Sequence, residues 1–318
     1  MSRIGIALAL ALAGCGTVTV NGGGGGDHDA ASGGDGGEGE PDGGGPQPRW
    51  IAVGSDFEID LTGSPIKVGG YDGRVYYAIE GSSVAGEVRS RIRSLDVATG
   101  AAQEELPQAP KSNDLCNCGY GGELTGGPDG LYYVANYAQK YVPGEGWQTI
   151  DYPDPVRRGE AAAVFVDDHL WLMGGRGPLN TTVVLEPIFQ QWNFGPDLPQ
   201  ATSGAAAVVV SDLGLLLFGG EATPHGIQHL DSAEGTWVSV DAPIPGDGGS
   251  FALAALAGER VYLHARGDSR LRVFDPFAVV WDPSITLPDG TVGVAEVGGS
   301  IYAVAAQAGE VDVYRLER

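Results

Sequence analysis

The chain has 318 residues, which is enough for one large β domain or two smaller domains, and core size is therefore not limiting. Its 41 Asp and Glu residues outnumber its 18 Lys and Arg residues, giving a formal net charge of −23. Such a charge repels nucleic acid phosphates and anionic membrane surfaces, so nucleic acid partners and polybasic membrane binding are disfavoured.

The first residues have the pattern of a targeting segment. Arg3 supplies a positive charge, and the apolar run from residue 4 to residue 13 is too short to span a bilayer but has the length of a signal-peptide core. The run ends in Leu12-Ala-Gly-Cys15, which resembles the lipobox of bacterial lipoproteins. The resemblance implies that residues 1–14 are a lipoprotein signal peptide and that Cys15 becomes a lipidated N-terminus. An ordinary secretory signal is the alternative.

Residues 15–48 would follow as a tether. Beyond Cys15 the segment contains six acidic residues, no Lys or Arg and almost no apolar side chain, so little burial is available to offset the entropy of ordering. A Gly-rich chain of this length has a root-mean-square reach of about 30 Å. We expect a disordered Gly-rich acidic tether that connects the lipid anchor to a folded domain at 49–318. The localisation expected from this organisation is the bacterial cell envelope, at a membrane or the cell surface.

An apolar and aromatic strand pattern recurs along the remaining chain. Tyr76 and Tyr302 lie five repeats apart, which gives a repeat of about 45 residues, a length typical of four-stranded propeller blades. The recurring segments are 74–78, 130–134, 169–173, 214–218, 260–264 and 300–304.

Other features recur in the same order within each repeat. Small-residue runs at 159–164, 204–208 and 251–255 precede the aromatic strand and suit an innermost strand near a propeller axis. Later in each repeat an apolar-acidic pair ends a third strand, and a tryptophan follows seven residues later at Trp192, Trp237 and Trp281. Proline then closes each unit, at a position compatible with a strand end. We expect each tryptophan to pack between neighbouring blades.

This order resembles the Kelch repeat across residues 49–318. Two repeats keep its paired glycines, Gly174-Gly175 and Gly219-Gly220, while the others have different residues at the second glycine position. The resemblance implies an all-β fold, a six-bladed β-propeller. We expect an N-terminal strand to pair with the C-terminal blade and close the ring.

The closing strand is predicted from spacing. The last repeat extends only four residues beyond Tyr314, too few for a fourth strand. Residues 57–61, followed by Pro65, have the spacing of a fourth strand and are expected to pair with residues 310–316. Closure would remove two exposed sheet edges. This interpretation places Phe57 where other blades have tryptophan; the alternative assigns that place to Trp50.

Ligands of propellers usually sit at the mouth of the central channel, lined by two sets of loops. The loops entering the innermost strands carry Lys67, Asp114, Arg157, Arg158, Ser203, Ser250 and Thr291. The loops after the second strands carry Glu80, Asn136, Arg176, Glu221, Arg266 and Gln307. Because arginine suits carboxylates and phosphates, we select Arg157, Arg158, Arg176, Glu221 and Arg266 as candidate ligand-binding residues. The alternative is that these arginines pair with nearby acids.

The remaining motifs are weak. Cys116 and Cys118 are a possible disulfide in an oxidising envelope, with reduced thiols as the alternative. No second cysteine pair completes a zinc set, and we expect no metal and no cofactor. Three common enzyme templates, the Gly-x-Ser-x-Gly elbow, the phosphate loop and the His-Glu-x-x-His helix, have no match.

The functional hypothesis is a lipid-anchored, monomeric propeller that binds an envelope protein or a glycan and touches the membrane only through its lipid. The alternative is a channel-mouth enzyme acting on an anionic sugar, similar to sialic acid epimerases of the Kelch-like class. Whether the protein is an enzyme stays open at this point, because fold analogy alone does not select a function.

Overall fold

The structure is a computed structural model that describes residues 47–57, 66–84, 87–104, 123–135, 138–153, 158–177, 179–231, 235–246, 251–307 and 309–318. The chain divides into two units, Met1–Gly45 and Pro46–Arg318, and every described residue belongs to the second. The predicted signal peptide, Cys15 and the tether up to residue 46 therefore lie outside the described residues. Within the described residues, no helix has the length and apolar character needed to cross a membrane.

The described residues form six four-stranded antiparallel sheets, arranged as a six-bladed β-propeller. The first strand in the chain, β1 (Arg49–Phe57), belongs to the last blade. Blade 1 contains β2 (Ile66–Tyr71), β3 (Arg74–Val84), β4 (Glu87–Asp96) and β5 (Ala102–Glu104). Blade 2 contains β6 (Glu123–Gly127), β7 (Gly130–Val134), β8 (Ala138–Val142) and β9 (Gly146–Ile150).

The next blades repeat this order. Blade 3 contains β10 (Ala162–Val166), β11 (His169–Met173), β12 (Thr182–Glu186) and β13 (Gln191–Phe194). Blade 4 contains β14 (Ala206–Val210), β15 (Gly214–Phe218), β16 (Ile227–Asp231) and β17 (Thr236–Val240). Blade 5 contains β18 (Phe251–Ala257), β19 (Arg260–Ala265), β20 (Arg270–Asp275) and β21 (Val280–Thr286). Blade 6 contains β22 (Thr291–Val297), β23 (Ser300–Gln307), β24 (Glu310–Glu317) and β1.

The first strand of each blade lies beside the first strand of the next, and β2 of blade 1 also lies beside β22 of blade 6. The ring of first strands is therefore closed around the axis. The predicted aromatic segments are the second strands, and the small-residue runs of blades 3 to 5 supply the innermost strands. Small side chains suit this place because six strands converge on the axis.

The N-terminal strand closes the ring, as predicted. β1 pairs antiparallel with β24 and supplies the fourth strand of blade 6. The strand begins at Arg49 rather than at Phe57, and residues 58–61 of the predicted strand lie outside the described residues. Most of the closing strand thus comes from a segment preceding the one that the spacing selected.

The assignment of Phe57 to the tryptophan position was wrong, and the alternative, Trp50, is correct. Trp50 lies opposite Leu316, as Trp192 lies opposite Leu185 in blade 3. Phe57 instead pairs with Glu310, at the other end of β24. Counting from the following proline misplaced the strand because β1 is longer than the outer strands of the other blades.

The tryptophans join neighbouring blades, as predicted. The indole of Trp192 donates to the Asp151 carbonyl of blade 2 at 2.6 Å and stacks on Tyr152, with ring centroids 4.8 Å apart. Three further indoles donate to a carbonyl at or just beyond the end of the outer strand of the preceding blade: Trp237 to Pro196, Trp281 to Ala242 and Trp50 to Thr286. Six clusters of buried apolar residues fill the spaces between adjacent blades.

The paired glycines follow the second strands of blades 3 and 4, where these loops approach the loop that enters blade 4. Gly174, Gly175, Gly219 and Gly220 all have positive φ, the region that glycine adopts without strain. The amide of Gly175 donates to the Thr202 carbonyl at 2.9 Å, and the Thr202 hydroxyl donates to the Gly219 carbonyl at 3.1 Å. An added Cβ at Gly174 or Gly220 would overlap Thr202, so these two glycines permit the close approach.

Candidate functional site

A channel runs along the propeller axis and encloses a cavity of about 400 Å³. The channel has two ends. The first strand of each blade begins at one end, which we call the mouth. A turn joins the first strand to the second at the other end, which we call the base. The walls are formed almost entirely by Gly, Ala, Val, Leu and Phe from the first strands. Among the described residues that line this cavity, only Glu123, Thr125 and Glu296 have polar side chains.

Three charged residues from three blades meet near the mouth. Lys67, which is 4% exposed, donates from its ammonium to a carboxylate oxygen of Glu123 at 2.9 Å. A guanidinium nitrogen of Arg266 lies 3.9 Å from the same oxygen. Lys67 belongs to blade 1, Glu123 to blade 2, and Arg266 follows the second strand of blade 5.

Arg266 reaches across the channel. Blades 2 and 5 stand on opposite sides of the six-membered ring, so the approach of Arg266 to Glu123 crosses the axis. A separation of 3.9 Å is an ion-pair distance but is too long for a hydrogen bond. The Arg266 side chain remains 38% exposed. Its guanidinium is thus held at the mouth by charge attraction without a close contact to Glu123.

Arg158 is buried beneath the mouth and holds a loop in place. Its guanidinium donates to the backbone carbonyls of Gly174 and Thr181, at 3.2 and 2.8 Å. Its amide donates to the Tyr152 hydroxyl at 3.0 Å. Burial lowers the pKa of Arg158 below the ordinary arginine value. These contacts fix the loop that follows the second strand of blade 3.

Arg176 and Glu221 are both exposed on loops that follow second strands. The amide of Arg176 donates to the Gly159 carbonyl at 2.7 Å, which ties the two loop sets of blade 3 together. The carboxylate of Glu221 accepts a hydrogen bond from the Ser203 hydroxyl at 3.0 Å. Ser203 belongs to the loop entering blade 4, and this hydrogen bond therefore ties the two loop sets of blade 4 together.

The other loop candidates stabilise turns or lie outside the described residues. The Thr291 hydroxyl donates to the Pro288 carbonyl, and the Gln307 amide donates to the Asp289 carbonyl. Glu80 is in β3, where only the backbone is described. Outside the described residues lie Asp114, Cys116, Cys118, Asn136, Arg157 and Ser250.

The base of the channel is acidic. The turns between the first and second strands of blades 1 to 5 carry exposed carboxylates, namely Asp72, Asp129, Asp167, Asp168, Asp212 and Glu259. Four of these aspartates have positive φ, a conformation that Asp tolerates better than most residues. Turn geometry therefore explains the choice of Asp. The electrostatic result is a base lined by carboxylates, opposite a mouth that carries arginines.

Sequence reasoning missed two buried charge networks. Asp56 of β1 is 4% exposed, accepts two hydrogen bonds from the Arg93 guanidinium, one of them at 2.7 Å, and accepts a third from the Tyr77 hydroxyl. Burial and the nearby Asp56 raise the pKa of Tyr77 far above its ordinary value. The network joins the closing strand to blade 1. The only sequence signal was an acid and an arginine within strands.

The second network lies at the blade 4 and blade 5 interface. Arg272, 4% exposed, donates to the Pro245 carbonyl at 2.8 Å, and another of its nitrogens lies 2.9 Å from an Asp268 carboxylate oxygen. His264 is fully buried and has a ring nitrogen 3.2 Å from the Asp268 carbonyl. Burial lowers the pKa of His264 below its ordinary value. Among the described residues, no group of His, Cys, Asp and Glu is arranged to hold a metal ion.

A set of exposed apolar residues lies on the outer parts of three consecutive blades, and sequence reasoning also missed it. Ile188 and Phe189, in the turn before β13, are 85% and 71% exposed. All large apolar residues found exposed in the described chain come from the outer parts of blades 3, 4 and 5. We call this set the apolar flank: Ile188, Phe189, Phe194, Val238, Phe277, Val279 and Val280.

Comparison with known proteins gives no family assignment. No protein-family model matches the chain, and no curated protein matches it in sequence.

Proposed function

We propose that this protein is a bacterial, lipid-anchored propeller of the cell envelope, with Kelch-type repeats, that binds a partner protein through the apolar flank. The observation that carries the proposal is the exposure of that flank on three consecutive blades. Single exposed apolar residues are common, but a set that is restricted, among the described residues, to three neighbouring blades favours an interaction surface. The lipid anchor would keep this surface near other envelope proteins.

The charge distribution favours a protein partner with an uncharged apolar surface. The chain carries a net charge of −23, yet β13 and β17 contain no charged residue and β21 contains only Asp282. The turns 187–190 and 276–279 are also uncharged. Fully buried centres of protein interfaces are depleted of charge and enriched in aromatic residues. A cationic partner or an anionic membrane surface would find little to bind here.

Blade 2, which lies beside the flank but contributes none of its residues, offers a matched comparison. The outer strand β9 of blade 2 exposes Gln148 and Thr149, which are polar. A photoreactive residue placed at Phe189 of the full chain should crosslink to one discrete envelope protein, whereas the same residue at Gln148 should not. Equal crosslinking from both positions would contradict a specific flank.

Binding to that partner, once purified, provides the quantitative test. Phe189→Ser should weaken binding about tenfold or more, as expected for an aromatic anchor, while Gln148→Ser should leave it unchanged. If the full chain instead retained only glycans, and Phe189→Ser bound them equally well, the protein-binding proposal would be wrong.

The anchor rests on the sequence around Cys15. Loss of its thiol would remove the attachment point for the acyl chains, so the variant Cys15→Ser should be released from membranes. Cys118→Ser is the matched control, because it removes a thiol outside the lipobox and should remain in the membrane fraction. Continued membrane association of Cys15→Ser would overturn the anchor.

The enzyme hypothesis has less support. It depended on an arginine and acid constellation at the mouth, but the Arg158 donors bind backbone carbonyls and Arg158 is buried. Turnover of a sugar acid by the full chain, abolished in Arg266→Ala, would restore it.

A further inference from the structure

The turns that join the third strand to the fourth share one backbone feature in blades 1, 3, 4 and 5. In each of them the fourth residue after the acid that ends the third strand has positive φ. These residues are Gly100, Gln190, Gly235 and Val279. Glycine adopts this conformation without strain, so stability alone would favour it at all four positions. Blades 1 and 4 have glycine, whereas blades 3 and 5 do not.

Val279 is the residue least suited to this position. Its φ is +56°, and a side chain branched at Cβ crowds the backbone in the left-handed region. Among the described residues, every other non-glycine residue with positive φ is Asp, Glu or Gln. Val279 is also 42% exposed, so it gains little from burial. An exposed apolar residue in a strained conformation favours a role in contact with another molecule.

The turn that carries Val279 is fixed by its neighbours. The amides of Phe277 and Ala278 both donate to one carboxylate oxygen of Asp275, each at 2.9 Å. The guanidinium of Arg260 lies 3.0 Å from the other oxygen of the same carboxylate. A turn that is already ordered loses little conformational entropy when a partner binds it, and this favours affinity.

Blade 1 has the same kind of turn without the apolar side chains. There the Asp96 carboxylate accepts a hydrogen bond from the amide of Ala98 at 3.0 Å. Ala98 stands where blade 5 has Phe277, and Gly100 stands where blade 5 has Val279. The turn can therefore form without either apolar residue, and its geometry does not explain their presence in blade 5.

We propose that Phe277 and Val279 are the anchor by which the apolar flank holds its partner, and that the partner protein supplies an apolar pocket for this turn. The inference rests on the proposed protein-binding function and names the part of the flank that dominates binding. Phe277, Val279 and Val280 are 52%, 42% and 49% exposed and lie within four consecutive residues. A few central residues, often aromatic, carry most of the affinity of a protein interface.

Thermal unfolding of the full chain tests the strain. Val279→Asn should raise the melting temperature by about 2 °C or more, because asparagine tolerates positive φ better than valine does. Val280→Asn is the matched control, since Val280 has a similar exposure and its φ is not positive. The same substitution there should not raise the melting temperature. A Val279→Asn variant that melts no higher than the wild type would overturn the proposal.

Photocrosslinking of the full chain in the cell envelope tests the anchor. A photoreactive residue at Ala278 should crosslink to the same protein as one at Phe189. The corresponding position in blade 1, Thr99, should give no such product. Val279→Asn should lower the yield of the crosslink from Phe189 about tenfold. Loss of structure would not explain weaker binding by a more stable protein.

The outcomes separate the anchor from the function on which it rests. If Phe189 crosslinks to one protein but Ala278 does not, the flank binds a partner and the anchor is wrong. An unchanged yield from Phe189 in Val279→Asn leads to the same conclusion. If neither position crosslinks to a discrete protein, the anchor and the protein-binding function are both wrong.

Discussion

The indole nitrogen of Trp50 donates to the Thr286 carbonyl at 2.8 Å, although the two residues are 236 positions apart in the chain. The contact joins the closing strand of blade 6 to the end of blade 5. In blades 3 to 5 the same contact joins a tryptophan to a carbonyl that lies about one repeat earlier in the chain. Trp50 therefore gives the closing strand the same inter-blade contact as the other outer strands.

We expect Trp50→Phe to lower the free energy of unfolding by about 1 kcal/mol, through loss of one hydrogen bond with most of the apolar contact kept. Trp50→Ala should cost about 3 kcal/mol, because it also leaves a cavity beside Leu316. Urea unfolding of the full chain measures both. Phe194→Leu, at an exposed position, is the control and should change stability little. Equal stability of Trp50→Ala and the wild type would rule out a contribution of this contact to closure.

The Asp56 network should stabilise closure of the ring, because the Arg93 guanidinium compensates the charge of the buried Asp56 carboxylate. Removal of one partner by Arg93→Met would leave Asp56 uncompensated and should cost about 3 to 5 kcal/mol. The double variant Asp56→Leu with Arg93→Met removes both charges and should be more stable than Arg93→Met alone. Chemical unfolding of the three proteins gives the comparison. A double variant less stable than the single would contradict an uncompensated charge as the cause.

His264 predicts a loss of stability in mild acid. Burial lowers the pKa of His264 in the folded protein, whereas in the unfolded chain it is near 6.5. The unfolded chain therefore binds the proton more readily, and stability falls as the pH drops below about 6.5, with a slope of up to about 1.4 kcal/mol per pH unit. Asp268 and Arg272, which adjoin the ring, oppose each other in their effect on this pKa.

The measurement is the free energy of unfolding of the full chain at pH 7 and pH 5. His264→Leu should reduce the difference between the two values, since the titrating group is removed. His225→Gln, which alters an exposed histidine, should leave that difference unchanged. An unaltered pH dependence in His264→Leu would show that other groups cause it.

The loops between blades 3 and 4 should not tolerate a side chain at Gly220. Its φ is +105°, and an added Cβ would overlap the Thr202 hydroxyl, so Gly220→Ala should cost about 1 to 3 kcal/mol or more. Gly267→Ala is the control for φ alone, because φ is +75° there and no atom lies within 4 Å of the added Cβ. Thermal unfolding of the full chain distinguishes them. Equal losses would show that conformation, and not contact with Thr202, decides the effect.

The sequence by itself determined the repeat, the number of blades, the position of the second strands and the role of Trp192, Trp237 and Trp281. These features repeat along the chain, because every blade must bury the same faces against its neighbours. The acidic turns of the base were also present in the sequence, since each is local.

Only the tertiary structure decided which aromatic residue completes blade 6, and which charges meet at the mouth. Spacing selected Phe57 and left Trp50 as the alternative, and the register of β1 on β24 decides for Trp50. Arg266 and Glu123 are far apart in the chain and on opposite blades, so no local pattern relates them. Closing a ring brings distant residues together across its axis, and these contacts depend on strand register and loop conformation rather than on periodicity.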